Sequence, residues 1–475
     1  MDPIFVYQES QIALKSQTTL KTTAGGTPGP DAGGTCASAG GEEPLRGIRV
    51  AVQPNISVRG WPTEAGSHAL AGFTALEDAT VVRHLRAAGV SLVGSTHTSE
   101  FGLGLEGSRA GAALQQGRAD VELVLDLAGE ARLAAAEAGV YALKPSFGLV
   151  SRFGLVGLIP SMEACAILSV DPRRVGDVLN VIAGPDELDL SLPDDAAVDL
   201  GSQTVDPATV TVGVITEALA GLTAEQVQGF RASLETWRRL GVTVREVSLP
   251  SFPLFSLVHQ IVGSVEASSC AGRYDSVRYG PRAPGAKNWN EMYLLSRGAA
   301  FGTALKSYLI QGAFFQFERY EAFESACRIR RRVVEEMDRL TAETDFLVLP
   351  VSGPAGTADL TSSADFAGGA AAGLSGLSGL SGLGSTSNNL YARSALTLCA
   401  NVTGQPALYL PPGPGTTAGG LQLLGPRLAD GRLLAFAGLL LNALSHEAVG
   451  RDKTAGGATS TRGGMAGGVI AEGGE

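Results

Sequence analysis

"LDLAGEARLAAAEAGVYALKPSFGLVSRFGLV", Leu125 to Val156, reads as the interior of an enzyme with one letter out of place. That letter is Glu130, an acidic residue set between Asp126 and Arg132 in "DLAGEAR". Upstream, "IRVAVQ" predicts a strand, "DATVVRHLRAAG" a helix with Asp78 as a plausible cap, and "VSLVGST" the next strand, in β-α-β order. Downstream of an Asp-rich loop at 185–199 come strand "VTVGVIT", helix "TAEQVQGFRASLETWRRLG" and strand "VTVREVSL". Helices then dominate to Leu340, followed by strands "DFLVLP", "PALYLP" and "GLQLLG" and an apolar helix after Asp430. This alternation predicts an α/β fold with a mixed sheet covered by helices.

Three stretches lack core-forming material. Residues 23–43 are Gly/Pro-rich and are expected to be a flexible connector. Residues 352–388, with the tandem "LSGLSGLSGLG", form a low-complexity insert, and residues 450–475 are expected to be a disordered tail. The organisation is therefore residues 1–43 as a partial N-terminal helix and linker, 44–449 as the folded domain, and 450–475 as tail.

A chain of 475 residues with 44% hydrophobic and 17% charged residues can bury a large core. Its net charge of -11 supplies no global basic field, so strong direct nucleic-acid binding is not expected. Cys36, Cys165, Cys270, Cys327 and Cys399 lie far apart and read as buried reduced thiols. With His68, His84, His97, His259 and His446 equally scattered, no metal site and no cofactor are expected. The apolar run Leu433 to Leu441 is too short to cross a bilayer, which takes about 20 residues. The N-terminus, with Asp2, Glu9 and only Lys15 and Lys21 as bases before Arg46, is a poor match to a targeting presequence.

Gly102, Gly104 and Gly107 satisfy G-x-G-x-x-G after a strand, but no acidic ribose ligand follows on a second strand, so dinucleotide binding is not expected. The basic run Arg328, Arg330, Arg331 and Arg332 reads as a solvated helix face rather than an RNA groove.

Four stretches together resemble one family. "PLRGIRVAVQPNI" (44–56), "DATVVRHLRAAGVSLVGSTHTSEF" (78–101), "GVYALKPSFGLVSRFGLV" (139–156) and "EASSCAGRYDSVRYG" (266–280) are similar to the amidase signature family. Within it they are most similar to the A subunits of glutamyl-tRNA(Gln) amidotransferases. The last stretch, with Arg273-Tyr274-Asp275 and Val277-Arg278-Tyr279-Gly280, is the specific one, because generic amidases lack it. "EMYLLSRGAAFG" and "ANVTGQPALYLPPG" extend the resemblance, which covers residues 44–445.

The resemblance implies a central twisted mixed β-sheet covered by helices on both faces. It also implies a serine nucleophile, a second serine relaying its proton, and a lysine base at a strand end. The lysine of a V-A-V-K-D-N-I pattern meets Gln53, and the nucleophile of a D-T-G-G-S-I-R pattern meets Glu130, with Asp126, Gly129 and Arg132 in register. The relay serine falls on Glu106 or is deleted; Ser108 survives nearby without its glycine neighbours. The arginine that holds substrate, in a V-K-R-R pattern, meets Lys306-Ser307-Tyr308, and the aspartate of a S-D-I-F pattern meets Ser394. None of the triad is intact. Glu130 is expected to pair with Arg132 or face solvent; the rival is a carboxylate pair with Glu106 doing acid–base work.

An intact relative would hydrolyse glutamine and pass ammonia to a B subunit, with a small C subunit bracing the pair, in a mitochondrion or other organelle in eukaryotes. This chain is expected to keep the fold, and B and C partners, without the glutaminase step; otherwise it is cytoplasmic. The alternatives are a working amidotransferase component using other residues, and an interaction module unrelated to tRNA. "FVYQESQIALKSQ" is similar to the start of the family's second N-terminal helix, so the segment before it is expected to be missing.

Overall fold

The structure, a computed structural model, describes residues 4–9, 43–192, 200, 204–351, 390–412 and 419–456. The strands are β1 (Phe5–Gln8), β2 (Arg49–Val52), β3 (Ser91–Thr96), β4 (Val121–Asp126), β5 (Tyr141–Lys144), β6 (Ala164–Ser169), β7 (Thr211–Ile215), β8 (Thr243–Val247), β9 (Phe346–Pro350), β10 (Ala407–Leu410) and β11 (Leu421–Leu424). They form one sheet in the order β1-β3-β2-β4-β6-β5-β10-β11-β9-β7-β8. Two parallel wings, β3-β2-β4 and β9-β7-β8, flank an antiparallel middle.

Alternating side chains bury both faces of this sheet. Phe346 and Val348 of β9 join a core with Phe230 and Trp237 of helix α5 (Ala224–Arg239) and Phe436 of helix α12 (Asp430–Gly456). Leu347 and Leu349 join the opposite core, with Phe255, Leu305 and Met337. Helices α1 (Thr80–Ala87) and α4 (Pro172–Ile182) lie with the first core. Helices α6 (Leu254–Val258), α7 (Ser264–Cys270), α9 (Thr303–Phe317) and α10 (Tyr320–Glu343) lie with the second. The remaining helices are α2 (Ala112–Gln115), α3 (Glu130–Ala138), α8 (Trp289–Ala300) and α11 (Leu398–Thr403). A two-sided mixed sheet of this kind is the α/β arrangement expected from the sequence.

Several local expectations change. Residues 5–8, expected to begin a helix, form the edge strand β1 antiparallel to β3. Phe5 is buried and Tyr7 packs against Trp61, an alternation that satisfies a strand and not a helix. Helix α12 runs to Gly456, seven residues into the stretch expected to be disordered, because a lone Gly450 costs a helix only about 1 kcal/mol. Asp78 does not cap α1; it accepts from the Arg59 N–H and pairs with Arg86. Of the thiols, Cys165 and Cys399 are buried while Cys327 is exposed. The insert at 352–388, the linker from 10 to 42 and residues 457–475 lie outside the described residues. Among the described residues no helix is long and apolar enough to cross a membrane, and no group of three or more His, Cys, Asp or Glu could hold a metal ion.

Candidate active site

The chain leaves β4 at Asp126, turns through Leu127, Ala128 and Gly129, and enters α3 at Glu130. Gly129 has φ +108°, and a Cβ there would lie 2.1 Å from Thr397 Oγ1, so only glycine makes this turn. Behind the turn, Asp126 and Arg132 form a fully buried ion pair at 3.2 Å. Arg132 also donates to the Thr397 carbonyl, Gln422 Oε1 and Asn401 Oδ1, so its guanidinium fork is spent on structure. Burial raises the Asp126 carboxyl, but Arg132 and Asn401 outweigh it and hold the group below its ordinary range.

Three peptide planes of the turn are held from one side. The Asp126 carbonyl accepts from Asn401 Nδ2 at 3.2 Å, and the Ala128 carbonyl from Thr397 Oγ1 at 2.7 Å. The Leu127 carbonyl lies 3.0 Å from His259 Nε2. A carbonyl can only accept, so Nε2 carries the proton and Nδ1 accepts from the Tyr391 hydroxyl, 3.0 Å away. Burial pushes the His259 imidazole down to about 4, which keeps it neutral. The Asp126 and Leu127 carbonyls belong to the peptides of Leu127 N and Ala128 N, so Asn401 and His259 fix these two N–H groups as a convergent pair, the arrangement that stabilises an oxyanion in acyl transfer, while the third peptide turns its Gly129 N–H to Asp126 Oδ1.

That donor set is occupied by the chain itself. Glu130 folds back so that Oε2 accepts from Leu127 N at 2.8 Å and Ala128 N at 2.6 Å, while Oε1 accepts from Gly104 N at 2.9 Å. Its residue is 3% exposed. The expected pairing with Arg132 does not form, because side chains at i and i+2 of a helix diverge and Asp126 already holds the guanidinium. Nor does Glu130 face solvent. Burial first, and the Asp126 charge second, push the Glu130 carboxyl up to about 7.

The other triad positions gather around the same turn. Gln53, 2% exposed, follows β2, and its Oε1 accepts from Leu125 N at 3.1 Å, adding a rung between β2 and β4. A carboxamide there cannot serve as a base. Asn55, fully buried, has neither amide atom hydrogen-bonded. Glu106 is exposed at the mouth of the pocket in front of Glu130, and Ser108 Oγ accepts from Ala110 N in a local turn. Burial and Arg132 bring the Lys144 amine down to about 8, yet it donates to the Pro145 carbonyl at 2.7 Å. The loop from Leu103 to Gly111 is pinned at both ends by carboxyls, Gly104 by Glu130 and Gly111 by Glu122 at 2.7 Å. The glycine pattern thus falls in a loop whose Gly104 N–H meets a glutamate.

The pocket has a volume of about 350 Å³. Its walls are largely apolar, with Leu103, Leu105, Leu133 and Leu390, and Glu130 lines it together with Tyr308 and Ser394. Ser394 is where the resemblance places the aspartate that holds substrate, and Tyr308 ends the Lys306-Ser307-Tyr308 stretch that meets the arginine pattern. The Tyr308 and Tyr391 hydroxyls lie 3.2 Å apart, which links the wall through His259 to the Leu127 carbonyl. No local sequence signal marks what Thr397, Asn401, His259, Tyr391 and Gly104 do at the turn: each acts on it from a distant element, and Gly104 is legible only as part of a glycine pattern. Among the arginines of α10, Arg331 and Arg332 pair with Glu335 and Glu336 on the solvated face, whereas Arg330 turns inward to Ser161 and Val402.

A sheet of this order, with a backbone donor pair at the β4–α3 turn, defines the amidase class of fold and site. An amidase family profile matches residues 31–113 and 110–434, and the chain belongs to that family. It is 34% identical over 422 residues to the A subunit of the glutamyl-tRNA(Gln) amidotransferase of Thermus thermophilus, covering 83% of this chain and 84% of that one. It is 33% identical to the corresponding protein of Natronomonas pharaonis, covering 84% and 96%. Homology to these A subunits is therefore strong. Among solved structures, the A subunit from Thermotoga maritima superposes with a TM-score of 0.63 at 23% identity, covering 82% of each chain. A crystal structure described as an amidase gives 0.66 at 22% identity, covering 93% and 92%. These two likenesses establish the fold.

Proposed function

We propose that this chain is a catalytically silent homologue of the amidotransferase A subunits and serves as a scaffold for B- and C-like subunits. The observation that carries this reading is the Glu130 carboxylate filling the N–H groups of Gly104, Leu127 and Ala128. Amide cleavage at this turn needs a hydroxyl, a base and vacant oxyanion donors. Glu130 supplies no hydroxyl and leaves no vacancy, and Gln53 accepts no proton. Loss of the nucleophile alone costs such a unit about 10⁶ in kcat. Strong homology to A subunits supports the partnership, and an organellar location follows only from it.

The test is ammonia release from glutamine and asparagine by the purified chain, alone and co-expressed with B- and C-like subunits. The expected result is co-purification without ammonia release. Release that Glu130→Ala abolishes would establish a working enzyme on other residues. Failure to co-purify would sink the scaffold role and leave a recruited interaction module.

A further inference from the structure

Glu130 is a buried carboxyl with no cationic partner among the described residues. Buried charges in proteins are paired with ions or metals, so a lone one facing a cavity is unusual. A carboxylate has about four acceptor sites. Oε2 accepts from Leu127 N and Ala128 N and Oε1 from Gly104 N, with the Glu130 N–H itself also favouring the ionised carboxyl, so Oε1 is the less committed oxygen. The nearby cations are committed elsewhere: Arg132 to Asp126 and Arg393, at the cavity wall, to Glu137. Glu106 adds a second negative group at the mouth. The walls are leucines with the Tyr308 ring and Arg393, whose guanidinium is turned to Glu137.

From this we infer that the cavity is a binding site for a small primary amine with an apolar body, its ammonium group donating to Glu130 Oε1. Its apolar part lies against Leu103, Leu105, Leu133 and Leu390, the composition usual for small-molecule pockets. An amino-acid zwitterion is disfavoured, because Ser394 stands where the resemblance places an aspartate, Arg393 is turned to Glu137, and Glu106 repels a carboxylate. This inference rests on reading Glu130 as a fixed acceptor rather than as a catalytic group. Binding an ammonium ion demands the ionised carboxyl, so affinity falls as pH drops below the value of about 7 to which burial raises Glu130.

The experiment is calorimetric titration of the full chain with n-hexylamine, n-hexanol, hexanoate and glutamine in an amine-free buffer at pH 8. Hexylamine is expected to bind at least tenfold more tightly than hexanol, with hexanoate and glutamine weaker still, and its affinity is expected to drop between pH 8 and pH 6. Glu130→Gln is expected to erase the preference for amine over alcohol while still binding hexanol, which shows that the variant is folded. Equal binding of hexanol and hexylamine to the wild-type chain, tight hexanoate binding, no amine binding at millimolar concentration, or an amine preference that survives Glu130→Gln would each overturn the inference. A chain that binds hexylamine and also releases ammonia from glutamine would overturn the catalytically silent reading alone.

Discussion

Glu122 offers a quantitative test of how this site tolerates buried carboxyls. It lies in the middle of β4, fully buried, with Oε1 accepting from Thr96 Oγ1 and Oε2 from Gly111 N, each at 2.7 Å. Burial raises its carboxyl from 4.5 to about 7, and the two hydrogen bonds only partly oppose this. The folded chain therefore holds the proton more tightly than the unfolded chain does. The resulting stability is fully present below pH 4.5 and is lost as pH rises to 7, after which it changes no further. Two and a half pH decades at about 1.4 kcal/mol each set the full loss near 3.5 kcal/mol. In Glu122→Gln the amide oxygen can face Gly111 N and the amide nitrogen can donate to Thr96 Oγ1, so the packing persists without the proton. Urea unfolding followed by the buried Trp61 and Trp237 at pH 5 and pH 8 measures the effect. The variant is expected to gain about 2 to 3 kcal/mol on the wild type between the two pH values. Parallel pH profiles for the two proteins would refute the reasoning.

Three further outcomes follow from the turn. Arg132→Met leaves Asp126 as a buried uncompensated charge and is expected to cost about 3–5 kcal/mol in urea unfolding; a loss under 1 kcal/mol would deny the pair its structural role. Gly129→Ala meets both a positive φ and Thr397 Oγ1, and is expected to cost more than about 2 kcal/mol, whereas Gly221→Ala, with open space around it, stays within about 0.5 kcal/mol. Glu130→Ala frees the N–H groups of Gly104, Leu127 and Ala128, so acetate is expected to raise its melting temperature while leaving that of the wild type unchanged.

Strands bounded by clear turn or cap residues could be read from the sequence, "VTVGVIT" before α5 and the buried "DFLVLP" ending at Pro350 among them. The central strands β4 and β6 could not. "VELVLD" and "ACAILS" are buried on both faces, so period-two patterning vanishes, and Glu122 breaks the apolar run of β4. At the site, the resemblance matched Gln53 and Glu130 to triad positions, and the structure puts Gln53 against Leu125 N and Glu130 at the turn after β4. What the resemblance could not supply was direction. That Glu130 bends back to its own turn depends on Gly104, from a loop 26 residues earlier, and on carbonyls held by His259 and Thr397. Such long-range hydrogen bonds leave no periodic trace in a chain.

The hydrogen bonds behind Asp126, Leu127 and Ala128 have a consequence for redesign. Since Asn401, His259 and Thr397 orient these peptides from the rear, replacing the glutamate in front does not require rebuilding the backbone. On the catalytically silent reading proposed above, converting the protein into a hydrolase becomes a matter of installing reactive side chains on ground already levelled, and the hard part is supplying a base where Gln53 now ties two strands together.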